Sequence, residues 1–423
     1  MVGWMLFLFC LAMFINIPIS LALGLAAGLV LTFISGLPSM ITAQMMYTAA
    51  DSFNLMAIPF FILAGNLMGH GGLSQRLIDF SNLLIGGWNG GLGIIAIVTS
   101  MFFAAISGSG PATVAALGTI LIPGMIKAGY DRGYSSALMA TAGAVGIIIP
   151  PSIPMILYAV QAEVSVARIF MAGFGPGLLF GGVLLMVNYY IARKNGYRRP
   201  ADEAPPTCSW DVIFSLIMPV LILGGIYGGI FTPTEASGVA VVYGFIIGAF
   251  VYRELNFKNI PKLLIESTVS SAVVMLIVMC ASLFSFVLIS EGTPQRLVAW
   301  ISEITTNKIA VLLMLNVFLL VVGCFLDAAS AIIVLTPILL PVAVAIGVDP
   351  THFGIIAVVN LAIGLATPPV GLDLYVACGI AKIRIEEITR AVWPLLVAVL
   401  IALALITALP FISLGLPNLL GFK

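Results

Sequence analysis

Short polar segments interrupt apolar stretches at four places, and their residue types suit the binding of a small cation. Two are loops, Ser107–Thr113 (SGSGPAT) and Asp327–Ser330 (DAAS). Two are broken helices, Gly146–Pro154 and Gly364–Gly371, each with two consecutive prolines. Because proline has no N–H group, carbonyls upstream of each pair lose their helical donors. Carbonyls, hydroxyls and a carboxylate suit a hard cation such as sodium, so the sequence predicts two sodium sites.

The same loops predict an anion site. If each loop is the tip of a helical hairpin, the following helix presents unpaired amides and its positive dipole end, which suit a carboxylate lying between the tips. An ionisable group within a membrane is costly and functional by default, so we interpret Asp327 as functional. The alternative is that Asp327 pairs with an unidentified partner or lies nearer the membrane surface. The sequence leaves open whether Asp373 and Asn360 contribute to the site. We assign His70 and His352 no role.

Composition identifies the environment in which these segments must fold. The chain has 423 residues, of which 61% are hydrophobic and 8% charged, and a mean hydropathy of +1.19. These values are typical of an integral membrane protein. A net charge of zero excludes a nucleic-acid-binding surface. The five cysteines show no paired spacing, so neither a disulfide framework nor a zinc site is indicated. The chain lacks GxxxxGK[ST] and HExxH motifs, so we expect neither ATP hydrolysis nor enzymatic activity.

Uninterrupted apolar stretches predict an all-α polytopic membrane protein with about ten spans and two re-entrant helical hairpins. Segment 1–50 is expected to form two helices, broken at Asn16-Ile17-Pro18. Placing Arg193–Arg199 in the cytoplasm puts thirteen of the seventeen Lys and Arg residues on that side. This orientation requires 93–127 and 308–348 each to enter and leave on one side, as hairpins do.

An internal repeat covers most of the chain. At a constant offset of 218, without gaps, Pro123 aligns with Pro341, Asp131 with Asp349, and Pro150-Pro151 with Pro368-Pro369. The loop 127–132 carries two basic residues and its counterpart 345–350 none, which favours inverted repeats over two parallel bundles. Inverted repeats with broken helices are typical of secondary transporters. The predicted divisions are repeat 1 at 1–192 (hairpin 93–127, broken helix 134–165), a cytoplasmic linker at 193–208, and repeat 2 at 209–423 (hairpin 308–348, broken helix 352–380).

Two further segments resemble amphipathic helices lying along the membrane surface. Ser74–Phe80 and Pro294–Trp300 mix apolar and charged residues at helical spacing. We predict that they are arms bracing a mobile part, and a partner-binding role is the alternative.

These motifs together resemble the large membrane subunit of TRAP transporters, in the ion transporter superfamily. The resemblance is carried by Ser107–Pro123, Ala144–Gly146 with Pro150–Ser152, Asn360–Gly364 and Thr367–Gly371. It implies a sodium-coupled importer of organic acids, such as C4-dicarboxylates or sialic acid, in a bacterial inner membrane. It also implies two partners, a small four-helix membrane subunit and a periplasmic substrate-binding protein. An elevator motion would carry the hairpins and broken helices past a static scaffold domain.

The resemblance also implies roles for individual residues. Asp327 aligns with Ser109 at the 218 offset, so the copies differ in charge. The predicted substrate-binding residues are Ser109, Gly110, Ser152, Ala329 and Ser330. The predicted sodium-binding residues are Ser107, Ser109, Thr113, Gly146, Pro150 and Ser152 in repeat 1, and Asp327, Ser330, Gly364, Thr367 and Gly371 in repeat 2.

Two other functions remain open from the sequence. A carrier of the same superfamily would transport a carboxylate with sodium but without a binding protein. A membrane scaffold or channel would belong to another class, and the broken helices with a buried Asp327 argue against it.

Overall fold

A computed structural model describes residues 1–85, 90–197, 211–256 and 258–422, and over these ranges it contains helices and no β-strand. Seven of the helices it describes are long and apolar enough to cross a membrane. Segment 1–50 forms three helices, so the expectation of two is wrong. The additional break precedes Pro38, which cannot donate a helical hydrogen bond. Residues 198–208 of the predicted linker 193–208, including Cys208, lie outside the described residues.

The first half of the described chain contains ten α-helices. One of them, α2, continues as a π-helical segment at Val30–Ile34, and short 3₁₀ turns occur at Phe53–Met56 and Ala144–Ile147. The helices are Val2–Phe14 (α1), Ile19–Leu29 (α2), Ser39–Ala50 (α3), Ala57–His70 (α4), Leu73–Ile85 (α5), Gly91–Ser107 (α6), Gly110–Lys127 (α7), Arg132–Gly143 (α8), Ile153–Gln161 (α9) and Val166–Asn195 (α10).

The second half contains ten more, and α12 likewise continues as a π-helical segment, Ile247–Val251. The helices are Asp211–Tyr227 (α11), Pro233–Ile246 (α12), Ile260–Ser290 (α13), Thr293–Ile304 (α14), Lys308–Gly323 (α15), Ala328–Ala345 (α16), Pro350–Leu365 (α17), Leu372–Ala381 (α18), Ile385–Ala408 (α19) and Phe411–Leu419 (α20).

Two helical hairpins correspond to the ranges predicted for them. In hairpin 1, α6 ends at Ser107 and is capped by Gly108, which has a positive φ, a left-handed conformation that glycine adopts without penalty. Ser109 then caps α7, since its side chain accepts a hydrogen bond from the backbone N–H of Ala112. In hairpin 2, which joins α15 to α16, Asp327 caps α16 in the same way. That these hairpins are re-entrant stays a prediction.

The helix bounds recur with the spacing found in the sequence. Helices α7 and α16 each have 18 residues and start 218 positions apart, at Gly110 and Ala328. Asp131 and Asp349, at the same offset, cap α8 and α17. The copies differ elsewhere, because the 31-residue α13 occupies the place of both α3 and α4.

Equivalent loops of the two copies lie at opposite ends of α10. The backbone N–H of Asp131 donates to the Tyr197 hydroxyl, just beyond the end of α10, at 3.3 Å. Arg168, at the start of α10, pairs with Asp349 at 3.1 Å. A 30-residue helix is about 45 Å long, so the two aspartates are separated by the length of a membrane span.

The hairpins and broken helices of the two copies pack across each other. Helix α7 contacts α8 of its own half and α18 of the other, while α16 contacts α17 of its own half and α9 of the other. The four elements therefore form one packed unit in which each copy supports the other.

Candidate functional site

Oxygen atoms converge at the tip of hairpin 1. The Ser107 and Thr113 hydroxyl oxygens lie 2.8 Å apart, and the Thr113 hydroxyl also donates to the Ser109 carbonyl at 2.8 Å. Ser107 and Thr113 are buried. The tip thus holds hydroxyl and carbonyl oxygens together without a charged side chain.

Gly146 brings the broken helix of repeat 1 against this tip. A Cβ atom on Gly146 would lie 2.6 Å from the Thr113 hydroxyl oxygen and 2.7 Å from the Ser109 carbonyl oxygen. Pro150 has no N–H, so it cannot donate to the Gly146 carbonyl as a helical residue would. The structure therefore brings together Ser107, Ser109, Thr113 and Gly146, and these residues supply the donor types that sodium requires.

Ser152 has a local bonding role that sequence reasoning did not identify. Its hydroxyl donates to the Ile147 carbonyl at 2.7 Å and accepts from the Met155 N–H at 3.4 Å. It therefore replaces the helical donor that Pro151 cannot provide, and it caps α9. The peptide bond between Pro150 and Pro151 is cis.

Repeat 2 pairs the same elements with different side chains. Asp327 accepts from the backbone N–H of Ser330 at 3.0 Å and from its hydroxyl at 2.5 Å. Gly364 packs against the end of α15, where a Cβ atom would lie 2.6 Å from the Gly323 Cα atom. The N–H of Gly371 donates to the Cys324 carbonyl at 3.3 Å. These contacts fasten the tip of hairpin 2 to its broken helix.

Asp327 is partly exposed in this structure, so the expectation that it is buried is wrong. Its neighbour Leu326 and the other end of the tip, Ala329, are partly exposed as well. The tip of hairpin 2 therefore lies at the edge of the packed unit.

Two local differences separate the broken helices. The Thr367 hydroxyl donates to the Ile363 carbonyl at 2.6 Å. Val370 occupies the place equivalent to Ser152, so the Leu365 carbonyl receives no hydroxyl donor like the one that reaches Ile147. The peptide bond between Pro368 and Pro369 is cis, as in repeat 1.

A cavity of about 650 Å³ adjoins hairpin 1. It runs from Ser107 and Ser109 at the tip to Gly72 and Glu254, and its volume lies within the range of small-molecule sites. Of the five residues predicted to bind substrate, Ser109 lines it, whereas Gly110, Ser152, Ala329 and Ser330 do not. Sequence reasoning placed Ser74 and Gln75 in an arm, gave His70 no role and did not identify Asn66 or Ser270, yet all five line the cavity.

An ion pair lies at the far end of this cavity. Arg76, in the predicted arm α5, pairs with Glu254 and stacks over the Tyr252 ring at 4.1 Å from its centroid. The cation at this end is therefore already neutralised by a carboxylate. Ser74, two residues earlier, is buried, and its hydroxyl has no hydrogen-bond partner within the described ranges.

Asn360 belongs to a buried amide network within repeat 2. Its side-chain nitrogen donates to the Ile356 carbonyl at 2.8 Å and to the Asn316 side-chain oxygen at 2.6 Å. The Asn316 amide donates in turn to the Thr407 hydroxyl at 3.1 Å. Asn360 therefore joins the broken helix to α15 and α19, one turn before Gly364.

Within the described ranges, no group of three or more His, Cys, Asp or Glu side chains is placed to hold a metal ion. The polar atoms described at the two hairpin tips include backbone carbonyls, hydroxyls and the Asp327 carboxylate. Such donors suit hard cations rather than zinc or copper.

The fold is that of membrane transporters. The structure aligns with the YdaH transporter of Alcanivorax borkumensis at a TM-score of 0.59 and 14% identity, covering 86% of this chain and 87% of the other. It aligns with MtrF of Neisseria gonorrhoeae, described as one of a class of antimetabolite efflux pumps, at a TM-score of 0.61 and 12% identity, covering 86% and 82%. At these identities the likeness concerns the fold alone.

Sequence comparisons identify the family. Residues 5–412 match the family described as the DctM component of the tripartite ATP-independent periplasmic transporters. This chain therefore belongs to that family, as its motifs had predicted, and is a large permease subunit of a TRAP transporter.

Relatives with named substrates are similar over almost the whole chain. The isethionate permease DctMQ of Oleidesulfovibrio alaskensis is 46% identical over 96% of this chain, which spans 65% of that longer protein. The C4-dicarboxylate permease DctM of Rhodobacter capsulatus is 42% identical, covering 97% of both chains. The sialic acid permease SiaM of Vibrio cholerae is 37% identical, covering 99% and 98%.

Proposed function

We propose that this chain is the transmembrane permease of a sodium-coupled importer for a small organic acid in a bacterial inner membrane. It works with a small membrane subunit and a periplasmic substrate-binding protein. The observation that carries the proposal is the convergence of Ser107, Ser109, Thr113 and Gly146 beside a cavity of about 650 Å³. The substrates and partners of the relatives support it by similarity.

Sodium fits the donor atoms at each hairpin tip. In repeat 1 these are the hydroxyls of Ser107 and Thr113 with the carbonyls of Ser109 and Gly146; in repeat 2, Asp327 adds a carboxylate. The sodium roles of Pro150, Ser152, Ser330, Gly364, Thr367 and Gly371 belong to the same proposal. Sodium moving down its gradient supplies the driving force, and these residues select it by offering hard oxygen donors.

The acid group of the substrate binds at the start of α7. Ser109, which caps this helix, lines the cavity, and the positive dipole end of the helix favours an anion. Gly110 is the first residue of the helix but does not line the cavity in this state. The lining includes hydrogen-bonding side chains such as Asn66 and Ser74, which suit the hydroxyl or second acid group of an organic acid. Ala329 and Ser330 would join the site only after hairpin 2 moves toward the cavity.

An elevator motion of inverted repeats completes the proposal. Asp131 and Asp349 lie at opposite ends of α10, which supports inversion. The cross-packing of α7, α9, α16 and α18 supports a single transport domain. The cavity ends at Glu254, next to basic residues predicted to be cytoplasmic, so this state opens inward.

Uptake by proteoliposomes tests the proposal. The chain is reconstituted with its cognate small subunit and binding protein, and accumulation of the acid bound by that protein is measured with an inward sodium gradient. We expect accumulation with sodium and none with an equal potassium gradient.

The controls separate the parts of the proposal. Uptake that persists without sodium contradicts sodium coupling, and uptake without the binding protein identifies the binding-protein-independent alternative. Linear, non-saturating flux would indicate a channel.

A further inference from the structure

The cavity beside hairpin 1 has two unlike walls. Beyond the tip, hairpin 1 contributes mostly aliphatic and aromatic side chains, such as Phe103, Ala112 and Ile120. The opposite wall is formed by α4, α5 and α13, and it carries hydrogen-bonding side chains: Asn66, His70, Ser74, Gln75 and Ser270. A ligand in this cavity therefore meets polar groups along one side.

Ser74 offers such a ligand a hydroxyl that the protein leaves unused. Its side chain is 4% exposed, and within the described part of the chain its hydroxyl has no hydrogen-bond partner. Ser81, further along the same helix, donates to the Leu77 carbonyl at 2.9 Å. Ser74 lies in the first turn of α5, so the carbonyl four residues earlier does not belong to its helix. A buried hydroxyl without a partner is costly, and a ligand hydroxyl would satisfy it.

The described lining offers no free cation to a second acid group. Among the Asp, Glu, Lys and Arg residues described, Glu254 alone lines the cavity. Arg76 pairs with Glu254, donates to the Gly72 carbonyl at 2.9 Å and stacks on Tyr252, and it does not line the cavity. A substrate carboxylate at this end would lose hydration without gaining a counter-charge, and it would face the Glu254 carboxylate.

His70 is the other ionisable side chain on the described wall. Its Nδ1 atom lies 3.1 Å from the Asn66 carbonyl oxygen. A carbonyl only accepts, so Nδ1 carries the hydrogen and donates it. In the neutral ring Nε2 is then an acceptor, which suits a hydroxyl group and repels a carboxylate.

The spacing of the two ends fits a short acid. Gly65 marks the level of the tip, because a Cβ atom there would lie 3.4 Å from the Ser107 Cα atom. Gly72, next to the Glu254 carboxylate, is seven residues further, which corresponds to roughly 10 Å along the chain direction of α4. An extended carbon chain advances about 3.5 Å for every three bonds, and a hydrogen bond adds about 3 Å at each end. An acid of about four carbons with a terminal hydroxyl therefore spans the distance from the start of α7 to Ser74.

We propose that this cavity selects an acid with a single acid group and an uncharged, hydroxyl-bearing tail over a dicarboxylate, and that Ser74 receives the tail hydroxyl. The inference rests on the proposed function, in which the acid group binds at the start of α7. It narrows that function, because the far end of the cavity accepts a hydroxyl and disfavours a second charge.

Three four-carbon acids test the selection directly. The purified complex of the full-length chain and its small subunit is titrated with γ-hydroxybutyrate, butyrate and succinate by calorimetry, in sodium chloride at neutral pH and without the binding protein. These probes differ only in the terminal group, which is a hydroxyl, a methyl or a carboxylate. We expect γ-hydroxybutyrate to bind about two- to tenfold more tightly than butyrate, and at least about tenfold more tightly than succinate.

Ser74→Ala and Ser81→Ala form a matched pair on α5. Ser74→Ala should abolish the advantage of γ-hydroxybutyrate over butyrate, because the tail hydroxyl loses its partner. Ser81→Ala should retain the advantage, since the Ser81 hydroxyl bonds within its own helix and does not line the cavity.

Glu254→Gln and Glu266→Gln form a second pair. Glu254→Gln leaves Arg76 without its carboxylate, so succinate should bind about tenfold more tightly than to the wild type. Glu266→Gln removes a carboxylate that pairs with Lys262 at 3.8 Å, outside the cavity, and should leave the order of the three acids unchanged.

Three results would overturn the proposal. One is wild-type protein that binds succinate as tightly as γ-hydroxybutyrate, or more tightly. Another is a folded Ser74→Ala protein that still prefers γ-hydroxybutyrate to butyrate. The last is the absence of binding by all three acids in a preparation that takes up its cognate acid normally.

Uptake by the same preparation in proteoliposomes distinguishes this inference from the proposed function. Normal sodium-driven uptake of the cognate acid with no selection among the three probes contradicts the selection alone. Uptake that does not depend on sodium contradicts the proposed function, whereas the order of the three binding affinities still decides the selection.

Discussion

Replacing Gly146 by alanine tests whether sodium binding depends on close contact between the broken helix and hairpin 1. The added Cβ would lie 2.7 Å from the Ser109 carbonyl oxygen, whereas ordinary contact begins at 3.4 Å. The tip must therefore move by several tenths of an ångström to restore ordinary contact. Since the carbonyl is backbone, rotation of a side chain cannot relieve this contact. Overpacking of this kind typically costs about 1–3 kcal/mol.

The measurement is thermal unfolding of the purified complex in sodium chloride and in choline chloride at equal ionic strength. A ligand at about one hundred times its Kd stabilises the folded state by about 2.7 kcal/mol. We expect Gly146→Ala to lower the melting temperature in choline and to reduce the further stabilisation by sodium, because Ser109 and Thr113 no longer converge with position 146.

Gly124→Ala is the matched control. Gly124 lies in α7 of the same hairpin, and a Cβ atom there would meet nothing within 4 Å. Alanine should leave the sodium response unchanged and raise stability by up to about 1 kcal/mol, as expected in a helix interior. A Gly146→Ala protein with wild-type stability and an unchanged sodium response would refute the reasoning.

Two further substitutions address repeat 2. Asp327→Asn retains a capping side chain for the Ser330 N–H but removes the charge. We therefore expect assembly to persist and sodium-driven uptake to fall strongly in both the Asp327→Asn and Asp327→Ala variants. Normal sodium dependence of uptake in Asp327→Asn would rule out a role for the charge. Asn360→Leu leaves the Asn316 amide oxygen without its donor, which should lower the free energy of unfolding by about 1–3 kcal/mol. The loss of stability should be much smaller when Asn316 is replaced by leucine as well.

Local features of this fold follow from residue type and were accessible from the sequence. Consecutive prolines break both long helices because they cannot donate hydrogen bonds, whatever surrounds them. Ser109 and Asp327 are good helix caps, and each begins the second helix of a hairpin. These features depend on a few neighbouring residues, and the internal repeat shows each of them twice.

Features that depend on contacts between distant segments were not accessible. Asp373 lies five residues after Pro368, and this position in the sequence gives no sign that its side chain faces Gly110. The contact requires α18 of one half to pack on α7 of the other. The polar wall of the cavity was missed for the same reason. Ser74 was interpreted as part of an arm along the membrane surface, yet it is buried beside the cavity.

Differences between the copies bear on how cation and acid are coupled. Carboxylates occur at two places in repeat 2, Asp327 and Asp373, where repeat 1 has Ser109 and Met155. A sodium ion beside Asp327 would be neutralised by that carboxylate, whereas the donors described at the repeat 1 tip, Ser107–Thr113, are neutral hydroxyls and carbonyls. The cavity adjoins hairpin 1, and the cation at its other end, Arg76, is already paired with Glu254. Under the proposed sodium coupling, an anionic substrate entering this cavity would gain most from sodium at the repeat 1 tip, so we expect the tip without a carboxylate to couple the ion to the acid.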